Sequence, residues 1–294
     1  MPHNIDGFAA GYRDMKRRFI QCDVFTSVPT LGNGLAVVID AEGLTDADMQ
    51  RFAAWTNLAE TTFILPPGND TADYRLKIFT PTREMPFAGH PTLGSCAAWL
   101  KSGGVPARSA VVRQECGVGI VEIDMTGPVP AFAAPPTRIA PMADAERDRI
   151  VRRLALPEDR IVRTATLENG PVWQVFELAS ADDVLAADAS RVKWPEFKAI
   201  GLIGPHAEGA DFDYEVRMLA PSSGMSEDPI TGSLNAAIAR WMHAEGRLTR
   251  DLTVSQGVSM GRAGRISVRR DSHDADRILI GGETQFLIEG VLEL

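Results

Sequence analysis

Two short segments of this 294-residue chain share one skeleton, and this internal repeat constrains the fold more than any other feature of the sequence. In residues 90–95 and 228–233, a His or an Asp precedes proline, two residues follow, and Gly-Ser comes next. Each segment follows a predicted strand and turn, at 79–86 and 218–226, and opens a largely apolar helix. Self-similarity of this kind indicates a duplicated unit.

The helix that begins at His90 is apolar on nearly every side. Such a helix cannot lie on a solvated surface, so we expect protein to surround it. The length of the chain and its hydrophobic content of 45% allow two cores of ordinary size. A Pro- and Ala-rich piece at 127–136 marks the boundary between them. We therefore predict halves at 15–128 and 129–280, and the C-terminal strand 281–294 could complete the first.

The starts of the two repeated helices are candidate substrate-binding positions. Backbone N–H groups are free at a helix N-terminus, and the helix dipole favours negative charge there. Gly94 and Gly232 occupy positions where alanine would serve a helix better by about 1 kcal/mol, which suggests that a ligand approaches the backbone closely. The hydroxyls of Ser95 and Ser233 could donate to a carboxylate. Alternatively, both glycines ease packing of the helices against their strands, and the sequence leaves the two interpretations open.

The composition argues against several classes of function. Lys and Arg number 30 against 39 for Asp and Glu, and the net charge of -9 argues against nucleic-acid or anionic-membrane partners. The sequence has no apolar run long enough to span a membrane. Its three widely spaced cysteines form neither a disulfide framework nor a metal-binding pattern. We expect a cytoplasmic protein without a metal site, and we interpret residues 1–14 as a peripheral extension.

Five motifs occur in the order found in a known family. They are Phe25-Thr26 with Gly32-Asn33, Asn57-Leu58-Ala59-Glu60-Thr61, Gly89-His90-Pro91-Thr92, Glu227-Asp228-Pro229, and Gln256-Gly257. Together they resemble the successive signatures of PhzF-like proteins of phenazine biosynthesis, and the similarity extends from about Met15 to the C-terminus. The Asn-Leu-x-Glu-Thr and Gly-His-Pro-Thr elements are far more specific together than either is alone.

The resemblance implies a diaminopimelate epimerase-like fold. This fold class is α+β, with two pseudo-symmetric domains, each a curled, barrel-like mixed β-sheet around a central apolar helix, and the active site lies between them. The resemblance also implies a cofactor-free isomerase that forms a homodimer and has no metal. The site residues it implies are Glu60 as the catalytic acid/base, His90 and Asp228 as assisting cleft residues, and Gly89, Gly232 and Ser233 as substrate-holding positions.

Glu60 is the candidate catalyst because a proton shift on a small acid needs one group that removes a proton from carbon and returns it elsewhere. A carboxyl can do both if burial raises its pKa toward neutrality. Glu60 lies where a predicted helix gives way to a strand, a place where a solvated Glu is otherwise the default. His90 and Asp228 each have the alternative role of an ordinary helix cap, and we interpret Glu227 as a solvated charge.

The leading hypothesis is therefore an isomerase that moves a proton on a small amino or hydroxy carboxylic acid in the cleft. The alternative is a non-catalytic carboxylate-binding or interaction protein that retains the cleft. A cysteine-dependent racemase is disfavoured, because Cys96 falls within a helix and Cys116 in a strand, while His90 and Asp228 occupy the places of the two thiols. The sequence does not identify the substrate, which a fold does not carry with it.

Overall fold

The computed structural model describes residues 15–191, 199–220, 226–271, 274 and 276–294. The interpreted extension at 1–14 and part of the predicted turn at 218–226 lie outside the described residues. The described residues form eighteen strands and five α-helices, and all the strands belong to one extended system of pairings.

Strands outnumber helices in both halves of the chain. The first half contains β1 (Lys16–Val24), β2 (Asn33–Val38), α1 (Asp46–Thr56), β3 (Glu60–Leu65), β4 (Tyr74–Phe79), β5 (Glu84–Met85), α2 (Gly89–Lys101), β6 (Val111–Cys116) and β7 (Gly119–Asp124). The rest of the chain contains β8 (Ala131–Ala133), β9 (Arg138–Ala140), α3 (Asp144–Leu154), β10 (Ile161–Glu168), β11 (Val172–Leu178), α4 (Ala181–Ala186), β12 (Ala199–Pro205), β13 (Tyr214–Leu219), β14 (Glu227–Asp228), α5 (Gly232–Ala244), β15 (Leu252–Gln256), β16 (Gly264–Arg270), β17 (Ile278–Gly281) and β18 (Thr284–Glu293). Short 3₁₀ turns lie at Glu158–Arg160, Ala189–Arg191 and Val258–Met260.

Helix α2 is the centre of the first half. Most of its residues are buried, and it packs against β1, β2, β3, β6, β8 and β18. The strands around it run in the order β18, β1, β2, β3, β4, β6, β7, with parallel pairings between β2 and β3 and between β4 and β6. A helix without a polar face thus loses its contact with water on all sides, as the sequence predicts.

Helix α5 has the same position in the second half. It packs against β10, β16 and β17, within strands ordered β9, β10, β11, β12, β13, β15, β16, β17. Apolar residues of α3 and α4 form a separate cluster with the outer face of this sheet. The predicted α+β class, with a curled mixed sheet around one apolar helix in each half, is confirmed.

The two central helices are equivalent from their first residue to their last. Both have 13 residues, and they begin at Gly89 and Gly232. Gly103 and Gly246 follow their last turns with positive φ angles of 96° and 68°, a conformation that glycine adopts without steric cost. The duplicated unit is therefore present in the structure, with Gly89 as the counterpart of Gly232.

The skeleton repeated in the sequence is out of register with these helices. The proline of the first segment lies inside the first turn of α2, where a missing N–H has no cost, whereas the proline of the second lies ahead of α5. The predicted equivalence of His90 with Asp228, and of Gly94 with Gly232, is therefore wrong. The duplication brings the two helix starts together, but it does not make the His and the Asp symmetric partners.

Two connections join the halves. Strand β8 pairs with β7 on one side and with β17 on the other, so the sheet continues from one half into the next. Strand β18 then returns to the first half and pairs with β1 from Lys16↔Glu293 to Val24↔Thr284. The domain division between residues 128 and 129 stays a prediction.

Candidate active site

Strand β3 begins at Glu60 because α1 ends just before it. Asn57 adopts a left-handed conformation, with φ 53°, at the C-cap of α1, and the chain then turns into the sheet. Because β3 pairs in parallel with β2, Glu60 lies beside Leu35. The Glu60 side chain is 17% exposed, so its carboxyl is largely withdrawn from water.

His90 faces Glu60 from the start of α2. Its ring Nε2 lies 3.4 Å from Oε2 of Glu60, and its side chain is 7% exposed. Neither of these two atoms has a hydrogen-bond partner among the described residues. Two buried groups from different elements thus approach each other with unused hydrogen-bonding capacity.

Burial shifts the pKa values of this pair in opposite directions. It raises the pKa of Glu60 to about 8, and the nearby charge of Asp228 acts in the same direction. It lowers the pKa of His90 to about 3, because an imidazolium is costly away from water. Both side chains are therefore mostly uncharged at neutral pH, and Glu60 is a carboxyl that can take up or release a proton close to that pH.

Asp228 reaches the site from the second half. It lies on β14, opposite Met218 of β13, and its Oδ2 accepts a hydrogen bond from the hydroxyl of Thr231. The amide of Asn33 donates to its Oδ1 at 3.3 Å. Burial raises the pKa of Asp228 to about 6, and these two hydrogen bonds limit the increase. Asp228 is close enough for its charge to act on Glu60.

Asn33 bridges the two halves and was not selected as a site residue from the sequence. Its Nδ2 lies 2.9 Å from the carbonyl oxygen of Ile230, 3.3 Å from Oδ1 of Asp228 and 3.5 Å from Nδ1 of His90. The Asn33 amide has two N–H groups for these three acceptors; in the His90 tautomer whose Nδ1 accepts, the ring proton is on Nε2, the nitrogen that faces Glu60. The available signal was the Gly32-Asn33 motif, which reads equally well as a turn.

Gln256 is a second residue that sequence reasoning missed. Its Oε1 accepts from the backbone N–H of Thr231 at 3.1 Å and from the amide of Asn235 at 2.9 Å. Its Nε2 donates to the hydroxyl of Thr231 at 3.0 Å, and that hydroxyl in turn donates to Asp228. The Gln256-Gly257 motif therefore supports the Asp228 carboxyl through Thr231.

The two helix starts face each other at short range. A Cβ added to Gly89 would lie 3.3 Å from the Cα of Gly232 and only 2.7 Å from Cζ of Phe132. A Cβ added to Gly232 would lie 3.4 Å from the Cα of Gly89. Glycine at both positions is what allows the N-termini of α2 and α5 to approach so closely.

Among the described residues, the starts of both helices lack a side-chain cap. The N-cap residues are Ala88 and Thr231, and neither makes a side-chain capping hydrogen bond. Ser233 follows Gly232 and is half-buried. Two uncapped helix N-termini at one place form a favourable environment for an anion.

Gly94 and Ser95 lie away from this point. A Cβ on Gly94 would come within 2.6 Å of Leu35 Cδ2 and 2.8 Å of Val24 Cγ2, so this glycine lets α2 pack on the sheet. The buried hydroxyl of Ser95 donates to the hydroxyl of Thr62 at 2.9 Å. The structure therefore does not bring these two residues to the helix starts, and the packing interpretation accounts for both.

The interpretation of Glu227 as a solvated charge is wrong. It is 4% exposed and forms a buried ion pair with Arg217. Carboxylates are exposed by default, and no local pattern indicates that a buried cation lies beside this one.

Two of the three cysteines lie in the hydrophobic core. Cys22 and Cys96 are buried, and burial raises the pKa of each thiol to about 12. Among the described residues, no group of three or more His, Cys, Asp or Glu side chains is arranged to hold a metal ion. None of the helices in the described part of the chain is both long and apolar enough to cross a membrane.

Comparisons with known proteins agree on one family. The family model described as "Phenazine biosynthesis-like protein" matches residues 22–290. A Schizosaccharomyces pombe protein named "Antisense-enhancing sequence 1" is 32% identical over 92% of this chain and 97% of its own length. The trans-2,3-dihydro-3-hydroxyanthranilate isomerase of Pseudomonas fluorescens is also 32% identical, over 83% of this chain and 87% of its own.

Solved structures show the same architecture. A Bacillus anthracis phenazine biosynthesis protein of the PhzF family superposes with a TM-score of 0.81 at 22% identity, over 96% of this chain and all of that one. A hydroxyproline epimerase from Agrobacterium vitis superposes with a TM-score of 0.60 at 14% identity, over 95% of this chain and 93% of the other. At these identities the likeness establishes the fold.

Proposed function

The chain belongs to the phenazine biosynthesis-like (PhzF) family and is an isomerase, and from this premise we propose that it moves a proton on a small carboxylic acid by acid/base catalysis at Glu60. The proposed reaction takes place in the cleft between the two halves and uses neither a metal nor an organic cofactor. The observation that carries the proposal is a carboxyl withdrawn from water, Glu60, 3.4 Å from the imidazole of His90.

The proposed reaction has two proton transfers. Ionised Glu60 removes a proton from a substrate carbon, and the electron pair left behind moves into the conjugated system that carries the substrate carboxylate. Protonated Glu60 then returns the proton to a different carbon on the same face, so the enzyme ends in its starting state. A carboxyl with a pKa of about 8 suits both steps, because general acid/base catalysis is most efficient near the working pH.

His90 and Asp228 have supporting roles in this proposal. The Nε2–H of His90 orients the Glu60 carboxylate and stabilises its ionised form during proton abstraction. Asp228 accepts a hydrogen bond from an amine or hydroxyl of the substrate. Its own position is supported by hydrogen bonds from Asn33 and Thr231.

The helix starts support a carboxylic acid as the class of substrate. Free N–H groups at the first turns of α2 and α5 suit a carboxylate, and Ser233 could add a hydroxyl donor. The Pseudomonas fluorescens relative is named for an anthranilate derivative, which is a cyclic amino carboxylic acid. We therefore propose for this chain the same class of substrate, a small carboxylic acid, and not that particular compound.

We expect Glu60→Gln to remove proton exchange while the fold and the ligand affinity persist. Gln has nearly the shape of Glu but cannot accept and return a proton, so exchange at carbon should fall by about 10²–10⁴-fold. The measurement is proton NMR of small amino and hydroxy carboxylic acids incubated with the enzyme in deuterated water. Glu42→Gln, which changes an exposed carboxyl of the same half, is the matched control.

Two outcomes of this experiment would count against the proposal. Unaltered exchange in the Glu60→Gln variant would reject Glu60 as the acid/base. Binding of the acids without exchange by the unsubstituted enzyme would favour the alternative of a carboxylate-binding protein that has the cleft but no catalysis.

A further inference from the structure

Arg217 on β13 and Glu227 on β14 form a buried ion pair one residue from Asp228. The two residues are 3% and 4% exposed. Nε and Nη2 of Arg217 donate to the two carboxylate oxygens of Glu227 at 2.9 and 2.7 Å, which makes the pair bidentate. A buried pair adds little net stability, whereas bidentate geometry fixes the relative orientation of its two elements.

The third nitrogen of Arg217 attaches the pair to α4. Nη1 donates to the carbonyl oxygen of Val184 at 3.1 Å and to that of Ala187 at 2.6 Å. These carbonyls lie at the C-terminal end of α4, where the carbonyl of Val184 also accepts the backbone N–H of the C-cap residue Ala187. Arg217 therefore joins a helix and two strands through a single side chain.

Strand β14 depends on side-chain contacts because it contains only Glu227 and Asp228. Its pairing with β13 consists of Leu219↔Glu227 and Met218↔Asp228. Two residue pairs give a strand little resistance to local opening. The bidentate bond at Glu227 adds a link to β13 immediately before the residue that faces Glu60.

From this arrangement we infer that Arg217 and Glu227 are positioning residues, which hold Asp228 beside Glu60 through the two-residue strand β14. The inference rests on the role proposed above for Asp228. Both side chains act through the backbone and through Asp228 rather than by touching the substrate.

The first half contains a weaker version of the same contact. Strand β5 pairs with β4 as β14 pairs with β13, and Lys77 on β4 approaches Glu84 on β5. Nζ of Lys77 lies 3.7 Å from Oε1 of Glu84, and the Glu84 side chain is 44% exposed. Strand β5 carries no proposed site residue, whereas β14 carries Asp228. The buried bidentate pair is therefore found beside the short strand that holds a site residue. Glu84 is therefore a matched control for Glu227.

Several charged groups lie around the Arg217–Glu227 pair, and they determine whether loss of the pair raises or lowers the pKa of Asp228. Glu215 on β13 is buried, its pKa is raised to about 7 by burial, and its Oε2 lies 3.4 Å from Nε2 of His206. The charges of Arg217 and Glu227 both act on Glu215, in opposite directions. The charge of Glu227 also raises the pKa of Asp228. Loss of Glu227 should therefore lower the pKa of Asp228, and release of β14 toward water would lower it further.

The test reads the Asp228 pKa directly, by carbon NMR titration of its carboxyl, in Glu227→Gln and in the control Glu84→Gln. We expect Glu227→Gln to bring the pKa of Asp228 down from about 6 toward its usual value of 3.8, and Glu84→Gln to leave it in place. Exchange of substrate carbon protons should slow by about 10- to 100-fold in Glu227→Gln, since a displacement near 1 Å can cost 10²-fold. Glu227→Asp, which keeps the charge, should recover part of both quantities.

A second variant separates positioning from folding. Arg217→Met combined with Glu227→Met removes both charges together, a change that buried ion pairs commonly tolerate without loss of stability. Because the double variant also removes the Nη1 donor from the carbonyls of α4, we expect a moderately lowered urea midpoint, a folded protein, a lowered Asp228 pKa and slow exchange. An exchange rate equal to that of Glu84→Gln in this double variant would overturn the inference even with a lowered pKa, because loss of the Glu227 charge lowers the pKa of Asp228 by itself. The titration needs no substrate, so failure of the inference is distinguishable from failure of the proposed reaction, which would abolish exchange in the unsubstituted enzyme.

Discussion

The proton on Glu60 is controlled by the residues around it. Burial raises the pKa of this carboxyl to about 8, so it stays mostly protonated below that pH. The same burial lowers the pKa of His90 to about 3 and keeps its ring neutral. The charge of Asp228 makes ionisation of Glu60 harder still. Because the ionised form of Glu60 abstracts the proton in the proposed reaction, the rate should rise with pH as Glu60 loses its proton.

We expect Asp228→Asn to move this rise to lower pH. Removing the negative charge lowers the pKa of Glu60, while burial, the larger cause of the shift, remains. Asn keeps the shape of Asp and can still accept the hydrogen bond from Asn33. The measurement is the pH dependence of carbon-proton exchange for both proteins on either side of pH 8. A rise at the same pH in both would show that the two carboxyls do not interact.

At the residue scale, the sequence identifies candidate side chains better than their contacts. Glu60, His90 and Asp228 stand in motifs specific enough to be selected, and the structure brings all three together. The bond from Asn33 to Asp228 joins residues 195 positions apart, which no local pattern reports. The burial of Glu227 could not be predicted either, because it depends on packing by β13 and α4.

At the element scale, two glycines of α2 have different roles: Gly89 lies at the helix start, and Gly94 lets the helix pack on its sheet. We expect Gly94→Ala to lower the free energy of unfolding by about 1–3 kcal/mol through overpacking, partly offset by about 1 kcal/mol of helix propensity. Its Cβ would crowd Leu35 and Val24, away from the helix starts, so the exchange rate should stay within about twofold of the original. Urea unfolding and the exchange assay measure the two quantities.

Gly89→Ala should give the opposite pattern. Its Cβ would lie 2.7 Å from the buried ring of Phe132 and 3.3 Å from the Cα of Gly232, so relief of the contacts must shift the start of α2 relative to β8 and α5 or displace that ring. Loss of exchange by about 10-fold or more is expected, because small displacements of a binding group are costly to catalysis. Equal effects of both substitutions on exchange would mean that the helix starts do not hold the substrate.

The elements themselves were largely predictable, and their register was not. An apolar helix bounded by glycine follows from periodicity and composition, and α2 and α5 both have this character. The repeated Pro-x-x-Gly-Ser skeleton nevertheless aligned Gly94 with Gly232, whereas the structure aligns Gly89 with Gly232. The loops ahead of the two helices have the same length and both begin with proline, Pro86 and Pro229, so the sequence offers two Pro-x-x-Gly alignments and no local pattern chooses between them.

At the scale of the whole molecule, the sheet is continuous across the two halves. Strand β8 links β7 to β17, and β18 returns to pair with β1 along its length. One hydrophobic cluster contains buried residues from both halves, including Leu93 of α2 and Leu234 of α5. Asn33 adds hydrogen bonds across the cleft between them. The homodimer and the two-domain division remain predictions.

We therefore expect the two halves to unfold in a single transition, even though each surrounds its own helix. Opening one half would expose its part of the shared cluster and would break the β1–β18 pairing, so neither half has a stable state of its own. Hydrogen exchange measured by mass spectrometry at increasing urea should give peptides from α2 and α5 the same midpoint. Asn33→Ala, which removes bonds across the cleft, should lower both midpoints together, by about 1 kcal/mol in unfolding free energy. Separate midpoints for the two helices would instead mean that the halves are independent folding units, and that the cleft can open without unfolding either one.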